Sequence, residues 1–486
     1  MNRIRILLFI FLLPGFTFAQ DKLSLEQCRK LALQHNQKVQ IARESKSAAT
    51  SLRKAAFTQF FPDFSFTGDY THMAKKLNIF SQDGFLPVIP YTAISGGSLD
   101  ISKLTANDIV INPITHMPVL DANGNPVFQH YAYLPKSAGV IDLTNIYLFN
   151  VGVTQPVFTG GKILNLYKTA KYTENIAKAN ETLESTELIS KVDENYYRVI
   201  SLKEKVRLAE QYKALVSKLI IDLQNYQQEG IIISNDLLKA RVRENEADLA
   251  LLKAQNGLTL SQMALCQSIG LSLDSKPELT DTALEIPLIL ETKDFVQAGL
   301  SQRSELSILQ NNVNIAKANV NIMYSRFLPD VGVTGNFLIA NPDMYHGFTQ
   351  DFNNDWNVSL VCHIPLFHWG ERFHTLSAAR HQKTSSELKL QETKEMITLQ
   401  VRQAINQYNE SLSKIQLTNR SLQQAEENLK VTNDNFAEGT LKATDVLEAQ
   451  LLWQKAVSEN IDARIEALQN KTNLKKVTGD LSRDIQ

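Results

Sequence analysis

Gln155-Pro156-Val157-Phe158-Thr159-Gly160-Gly161 returns later in the chain as Ile364-Pro365-Leu366-Phe367-His368-Trp369-Gly370, and Glu229-Gly230 with Asp236 returns as Glu438-Gly439 with Asp445. From Pro156 to Pro365, Gly230 to Gly439 and Asp236 to Asp445 the displacement is 209 positions each time. Signatures of different chemistry that share one offset define an internal repeat, which fixes architecture before any residue is given a task. A further pair, Phe60-Phe61-Pro62-Asp63 and Phe327-Leu328-Pro329-Asp330, is displaced by 267, so the first copy holds an insertion of 58 residues, the difference between 267 and 209. Each half therefore reads as helix, strand opening at Pro-Asp, hairpin, strand ending at Pro-x-Phe-x-x-Gly, and two long helices meeting at Glu-Gly.

Neither glycine nor proline occurs between Gly161 and Gly230, or between Gly370 and Gly439, a spacing of 69 in both copies. At 1.5 Å per residue such a helix is roughly 100 Å long, many times the average globular helix. Apolar residues three and four apart, as in Leu208, Tyr212, Leu215, Leu219, Leu223 and Tyr226, give one stripe that must be buried in a bundle of such helices. Each helix turns at Glu-Gly and returns from Asp236 to about Ile269, or from Asp445 to about Thr478. Glycine supplies the positive φ that ends the first helix, and the aspartate suits the first turn of the next.

Four segments alternate with period two. Phe64, Phe66 and Tyr70 oppose Ser65, Thr67 and Asp69; Tyr147, Phe149, Val151 and Val153 oppose Leu148, Asn150, Gly152 and Thr154; Val331, Val333 and Phe337 oppose Gly332, Thr334 and Asn336; Trp356, Val358 and Leu360 oppose Asn357, Ser359 and Val361. Such strands suit either a soluble two-faced sheet or a membrane barrel with lipid outside and water inside. Four strands cannot close a barrel, so the membrane reading demands association of chains. Both strands of each hairpin join helices on the same side, so the inserted segment lies on the opposite, external side. Eight of the fourteen prolines fall between Pro62 and Pro156, the composition of an irregular loop.

Arg3 and Arg5, the apolar run Ile6 to Leu13 and Thr17-Phe18-Ala19 form a secretory signal peptide with cleavage near Gln20. Three cysteines, Cys28, Cys266 and Cys362, far apart and odd in number, leave stability to packing. A net charge of −1 argues against a nucleic-acid partner. Cys362, His363, His368 and His374 match no zinc spacing, and Trp356, Phe367 and Trp369 beside them read as interfacial aromatics. No nucleophile elbow, phosphate loop or HExxH motif is present, so nothing points to an enzyme, a cofactor or a metal.

The opening Leu23-Ser24-Leu25-Glu26-Gln27-Cys28 with Leu31-Ala32-Leu33 and Asn36, the strand start Phe61-Pro62-Asp63, the step Pro156-x-Phe158-x-x-Gly161, and Glu438-Gly439 followed by Thr444-Asp445-Val446-Leu447-Glu448-Ala449 resemble the TolC-like outer membrane efflux family. The resemblance spans both repeats and implies a mainly helical fold with a membrane β part: a homotrimer whose 12-stranded β-barrel in the outer membrane continues as a periplasmic α-barrel. It implies an exit duct for tripartite efflux or type I secretion, coupled through a periplasmic adaptor to an inner-membrane pump of RND or ABC type. It also implies an acidic periplasmic entrance at Asp445 and Glu448, with Asp236 matching a latch partner, and adaptor docking at the tips Glu229, Gly230, Ile231, Glu438, Gly439 and Thr440. Asp445 is equally suited to capping its own helix. A tyrosine and an arginine that latch the entrance in the family are replaced here by Phe436 and Leu441, so closure falls to packing or to Lys442.

The expected layout is a signal peptide 1–19; a first repeat 20–270 with strands near 62–70 and 146–156, external loop 71–145 and helical hairpin 162–270; and a linker 271–292 containing Pro277 and Pro287. A second repeat 293–479 follows, with helix 293–327, strands near 330–338 and 355–364 and hairpin 370–479, and then a tail 480–486. The competing reading is a soluble periplasmic coiled-coil scaffold whose strands pack on its own core.

Overall fold

The computed structural model describes residues 22–230, 234–280 and 294–485. The expected signal peptide, the tip residue Ile231 and Pro287 of the linker lie outside the described residues. The chain forms two compact units, and each sequence repeat contributes to both: one contains 161–327 and 367–486 with the N-terminal residues up to Phe57, the other 58–160 and 328–366.

The first unit is helical. Its elements are α1 (Leu25–His35), α2 (Gln37–Thr58), α3 (Lys162–Gln228), α4 (Ser234–Ile269), α5 (Phe295–Gln302), α6 (Ser304–Ser325), α7 (Glu371–Ala437) and α8 (Ala443–Thr478). Helices α3 and α7 are both 67 residues long, and α4 and α8 both 36. The conserved offset thus extends to helix boundaries: α7 and α8 begin and end 209 positions after α3 and α4, and α6 lies 267 after α2. The return helices start at Ser234 and Ala443, two residues before the aspartates expected to open them.

The Leu23-Ser24 opening has a local cause. Ser24 Oγ accepts from the Gln27 amide at 3.3 Å and Gln27 Oε1 accepts from the Ser24 amide at 2.8 Å, a reciprocal cap on α1. Glycines punctuate the long helices: Gly161 (φ 82°) and Gly370 (φ 81°) open them, and Gly270 (φ 78°) and Gly479 (φ 80°) end the return helices. A Cβ on Gly270 would fall 2.6 Å from His35 Cβ, and one on Gly479 2.7 Å from Gln302 Cβ. Each return helix therefore stops against the bend between two short helices, α1/α2 in one repeat and α5/α6 in the other. At those bends Asn36 and Arg303 share φ −71° and ψ 128°.

The apolar stripe packs as its spacing requires. Leu208 is buried, and Tyr212, Leu219 and Leu223 pack with Val216 and Ile220 against Ala240 and Ala247 of α4 and Val446 and Leu447 of α8. A second cluster joins Cys28 and Ala32 of α1 to Val192 and Tyr196 of α3 and Leu265 and Ile269 of α4. Leu23 forms a parallel bridge with Leu279 of the linker, its amide donating to Glu278 O at 2.7 Å. The C-terminal residues Asp480–Ile485 coil into a 3-10 helix with Leu481 fully buried. No helix among the described residues is long and apolar enough to cross a membrane.

The second unit is built on one antiparallel sheet of four strands in chain order: β1 (Asp63–His72), β2 (Asn145–Phe158), β3 (Asp330–Asn341) and β4 (Asn353–His363). Pairings Phe66↔Val151, Val151↔Phe337 and Phe337↔Trp356 run one apolar row across all four strands. On the other face Asn150 Nδ2 donates to Asn336 Oδ1 at 3.3 Å, and Asn336 Nδ2 to Asn357 Oδ1 at 3.2 Å. Strands β1 and β4 are the sheet's two edges, and every residue of β1 is exposed.

The segment expected as an irregular external loop is instead a folded arm. Leu77–Asn78 pairs with Val140–Ile141, Gly84–Pro87 with Tyr131–Leu134, and Ile94–Ser95 with Ser98–Leu99. Three of its six prolines, Pro87, Pro118 and Pro126, sit at a ladder end or at isolated bridges, positions that tolerate a missing donor, and Pro90 and Pro135 precede 3-10 helices. Asp83, Asp100, Asp108, Asp121 and Asp142 each accept a backbone N–H within the arm. All five carboxyls lie below their ordinary range: the Lys136 amide is the main cause at Asp83 and the Asn125 amide at Asp121, whereas the Ser102 hydroxyl leads at Asp100, the Thr105 hydroxyl at Asp108 and the Lys76 ammonium at Asp142.

Candidate functional site: the helical tips

The chain leaves both long helices in the same way. Glu229 and Glu438 cap α3 and α7 with φ −80° and ψ −2°, followed by Gly230 at φ 76° and Gly439 at φ 77°. A Cβ on either glycine would meet nothing within 4 Å, so the left-handed backbone alone demands the residue. Glu229, Gly230, Glu438, Gly439 and Thr440 are all exposed. The Thr440 amide and hydroxyl both donate to Asn435 O, at 3.0 and 2.9 Å, tightening the second turn.

Asp445 is the third residue of α8, and its Oδ2 accepts the Lys442 amide at 2.9 Å. That bond satisfies one of the unpaired donors at a helix start, so the capping role expected as an alternative is present. Glu448, one turn on, is exposed. Asp236 occupies the matching third position of α4, 3.5 Å from Lys239 Nζ. Among the described residues no ion pair joins Lys442 to a carboxylate.

Phe436 packs edge-to-face on Tyr226, with ring centroids 5.9 Å apart and planes at 68°. This contact ties the end of α7 to the end of α3, and Phe436 joins the cluster containing Tyr212, Leu223, Ala443 and Val446. Tyr226 belongs to the stripe read in the sequence, but its pairing with Phe436 is not legible there: the repeat offset carries Tyr226 to Asn435, which has no ring. Gln450 is likewise a find of the structure, buried in α8 with its Nε2 donating to Leu215 O of α3 at 3.4 Å.

Cys362 and His363 fall on opposite faces of β4, opposite Val331 and Asp330 respectively. Among the described residues no three His, Cys, Asp or Glu side chains converge on a metal position.

The sequence pattern of the family described as outer membrane efflux protein matches residues 141–271 and 296–480. The chain belongs to this family. Its relatives include the outer membrane protein TolC of Vibrio cholerae serotype O1, 21% identical over 309 residues, which cover 61% of this chain and 68% of the relative. The alkaline protease secretion protein AprF of Pseudomonas aeruginosa is 22% identical over 350 residues, covering 69% of this chain and 70% of AprF. Among solved structures, the outer membrane protein VceC of Vibrio cholerae superposes with a TM-score of 0.71 at 15% identity, over 94% of this chain and 96% of VceC. The CmeC outer membrane channel of Campylobacter jejuni also gives 0.71 at 15% identity, over 95% and 88%. The family consists of outer membrane efflux channels rather than enzymes, which places this chain in the outer membrane and leaves the soluble scaffold without support. The matched ranges begin at residue 141, so most of the folded arm lies before them.

Proposed function

We propose that three copies of this chain close a 12-stranded barrel and act as the exit duct of a tripartite efflux or type I secretion system. The observation that carries this reading is the four-stranded sheet with one apolar face, one polar face and two unpaired edges, β1 and β4. Unpaired edges recruit further strands, and in lipid every edge must be closed. Two copies would give eight strands and a lumen filled by side chains, whereas three leave room for a pore. The exposed Phe367 and Trp369, beyond the end of β4, suit the membrane–water boundary.

The helical tips form the periplasmic end. Glu229, Gly230, Glu438, Gly439 and Thr440, all exposed, dock an adaptor protein together with Ile231, the remaining tip residue expected from the sequence, and the adaptor links the duct to an inner-membrane pump of RND or ABC type. Asp445, Glu448 and Asp236 supply negative charge at the entrance, and threefold repetition concentrates it where cations pass. Lys442 serves by its backbone, as the amide that Asp445 accepts, and Phe436 holds the entrance by packing on Tyr226. The name of AprF, a protease secretion protein, and that of CmeC, an outer membrane channel, both accord with a duct whose cargo is chosen by the pump. Mild-detergent extraction of the mature protein tests the reading: a heat-sensitive trimer that conducts ions in a planar bilayer supports it, and a monomer soluble without detergent overturns it.

A further inference from the structure

The four long strands carry four aspartates and no lysine, arginine or glutamate: Asp63 and Asp69 on β1, Asp330 on β3 and Asp355 on β4. All four are exposed, and the register places all four on one face. Asp63 and Asp69 alternate with Phe64, Phe66 and Tyr70, so they share the face of Ser65 and Thr67. Thr67 pairs with Asn150, Asn150 with Leu338, and Leu338 with Asp355, which carries that face to β4. Asp330 stands two and four residues before Gly332 and Thr334 on the same side of β3. The apolar face holds no aspartate, glutamate, lysine or arginine.

Scattered charges on the wet face of a sheet are ordinary, but such faces usually mix signs. Here the sign is single, and the one basic group of the polar face is His363, paired in register with Asp330. The amides of Asn150, Asn336 and Asn357 cross the face, Asn336 and Asn357 in the row next to that of Asn150 and Asp355. Asp63 and Asp330 stand where their strands begin, Asp355 in the register row of Asn150 and Asp69 one polar-face position beyond that row, so charge lies on both sides of the Asn336 and Asn357 pair.

We propose that Asp63, Asp69, Asp330 and Asp355 make the barrel wall cation-preferring in its own right, independently of the carboxylates at the helical tips, so that small cations and cationic solutes pass in preference to anions. The proposal rests on the trimeric duct proposed above, in which the polar face lines the lumen. Like charges set in a low-dielectric wall focus the potential along the axis and raise the local concentration of counter-ions, and rings of acidic side chains select cations.

The test is the potassium-to-chloride permeability ratio of the purified full-length trimer in a planar bilayer, across a salt gradient at pH 8. The wild type should favour potassium, and Asp445→Asn/Glu448→Gln should retain part of that preference. Asp63→Asn/Asp69→Asn/Asp330→Asn/Asp355→Asn should lower the ratio severalfold while migrating as the same heat-sensitive trimer. Thr67→Lys/Ser359→Lys, which adds cations to the same face and leaves every aspartate in place, should also lower it, and covers the case in which the fourfold variant fails to assemble. A ratio unchanged by the lysines, or by the fourfold change in an assembled trimer, overturns the assignment while leaving the duct intact. A wild-type trimer that conducts nothing overturns the duct itself and this proposal with it.

Discussion

Asp193 shows how a single carboxylate ties the helical unit together. It is fully buried in α3, accepts Arg29 Nε at 2.8 Å and Nη2 at 2.5 Å, and accepts Thr472 Oγ1 of α8 at 3.1 Å. Removing one partner of a buried, hydrogen-bonded pair costs about 3–5 kcal/mol. Asp193→Ala should therefore lower the midpoint of thermal unfolding, followed by circular dichroism in detergent, well below that of the parent. Lys414→Ala, which breaks a pair with Glu466 whose side chains are 48% and 45% exposed, should change stability by less than about 1 kcal/mol. Equal effects would refute the distinction between the two pairs. In the strand unit, acids outside the long strands depend on pH instead. The Lys76 ammonium, then the Thr144 hydroxyl and amide, hold Asp142 at about 2. Burial pushes Asp343 up, but the Tyr345 amide, the Asn353 amide group and His346 outweigh it and hold that carboxyl at about 2 as well. An unfolded aspartate titrates near 3.9. Because the folded values lie lower, the stabilisation is complete above about pH 4 and is lost as pH falls toward about 2. Hydrogen–deuterium exchange of residues 73–144 and 342–352, corrected for the intrinsic rate, should rise across that window, and protection that stays level down to its lower end would contradict it.

The long helices were the most legible elements of the chain, and the reason is physical. An uninterrupted 3.6-residue stripe without glycine or proline leaves the backbone no alternative, and glycines at positive φ mark the ends. Strand alternation was legible for the same reason, since a period of two assigns each side chain a face. The arm was not, because its ladders are two to four residues long and are held by aspartate-to-backbone bonds that leave no periodic trace. Contacts between helices were hidden as well: which ring meets Phe436 depends on how α3 and α7 pass each other, and neither composition nor the repeat offset encodes that. The proposal that packing rather than Lys442 closes the tips draws on the Phe436–Tyr226 contact and on a lysine that meets Asp445 through its backbone amide. Phe436→Ala removes the ring that holds α7 against Tyr226 of α3 and should raise single-channel conductance by loosening the entrance. Lys442→Ala should leave conductance near the parent value, because the bond to Asp445 comes from its backbone amide. The opposite ranking would assign the latch to the lysine after all.

At the scale of the whole molecule, the sheet and the helices pose one packing problem with different solvents. The helical unit buries its stripes within the chain, whereas the apolar row Phe66, Val151, Phe337 and Trp356 is left facing outward: Trp356 is 70% exposed, and Val358 and Leu360 beside it 66% and 72%. Water does not tolerate such a surface cheaply, but lipid does, and the same residues would be arranged no differently on a barrel exterior. The two readings of that face separate in one pair of variants. Val358 and Ser359 are neighbours on β4, pairing with Gly335 and Thr334 of β3, so an arginine at either meets the same strand context, and the β propensity that only the valine gives up is worth at most about 1 kcal/mol. If the apolar face meets hydrocarbon, Val358→Arg places a charge near the middle of the membrane at a cost of about 2–4 kcal/mol per chain, repeated in each of three copies. Ser359→Arg places the same charge in water. Val358→Arg should therefore sharply deplete the heat-sensitive trimer recovered from the outer membrane, while Ser359→Arg assembles at near-parent levels and only alters ion preference. If the two variants assembled equally well, the apolar face would have to be covered by protein rather than lipid, because no aqueous surface distinguishes the two positions by so much.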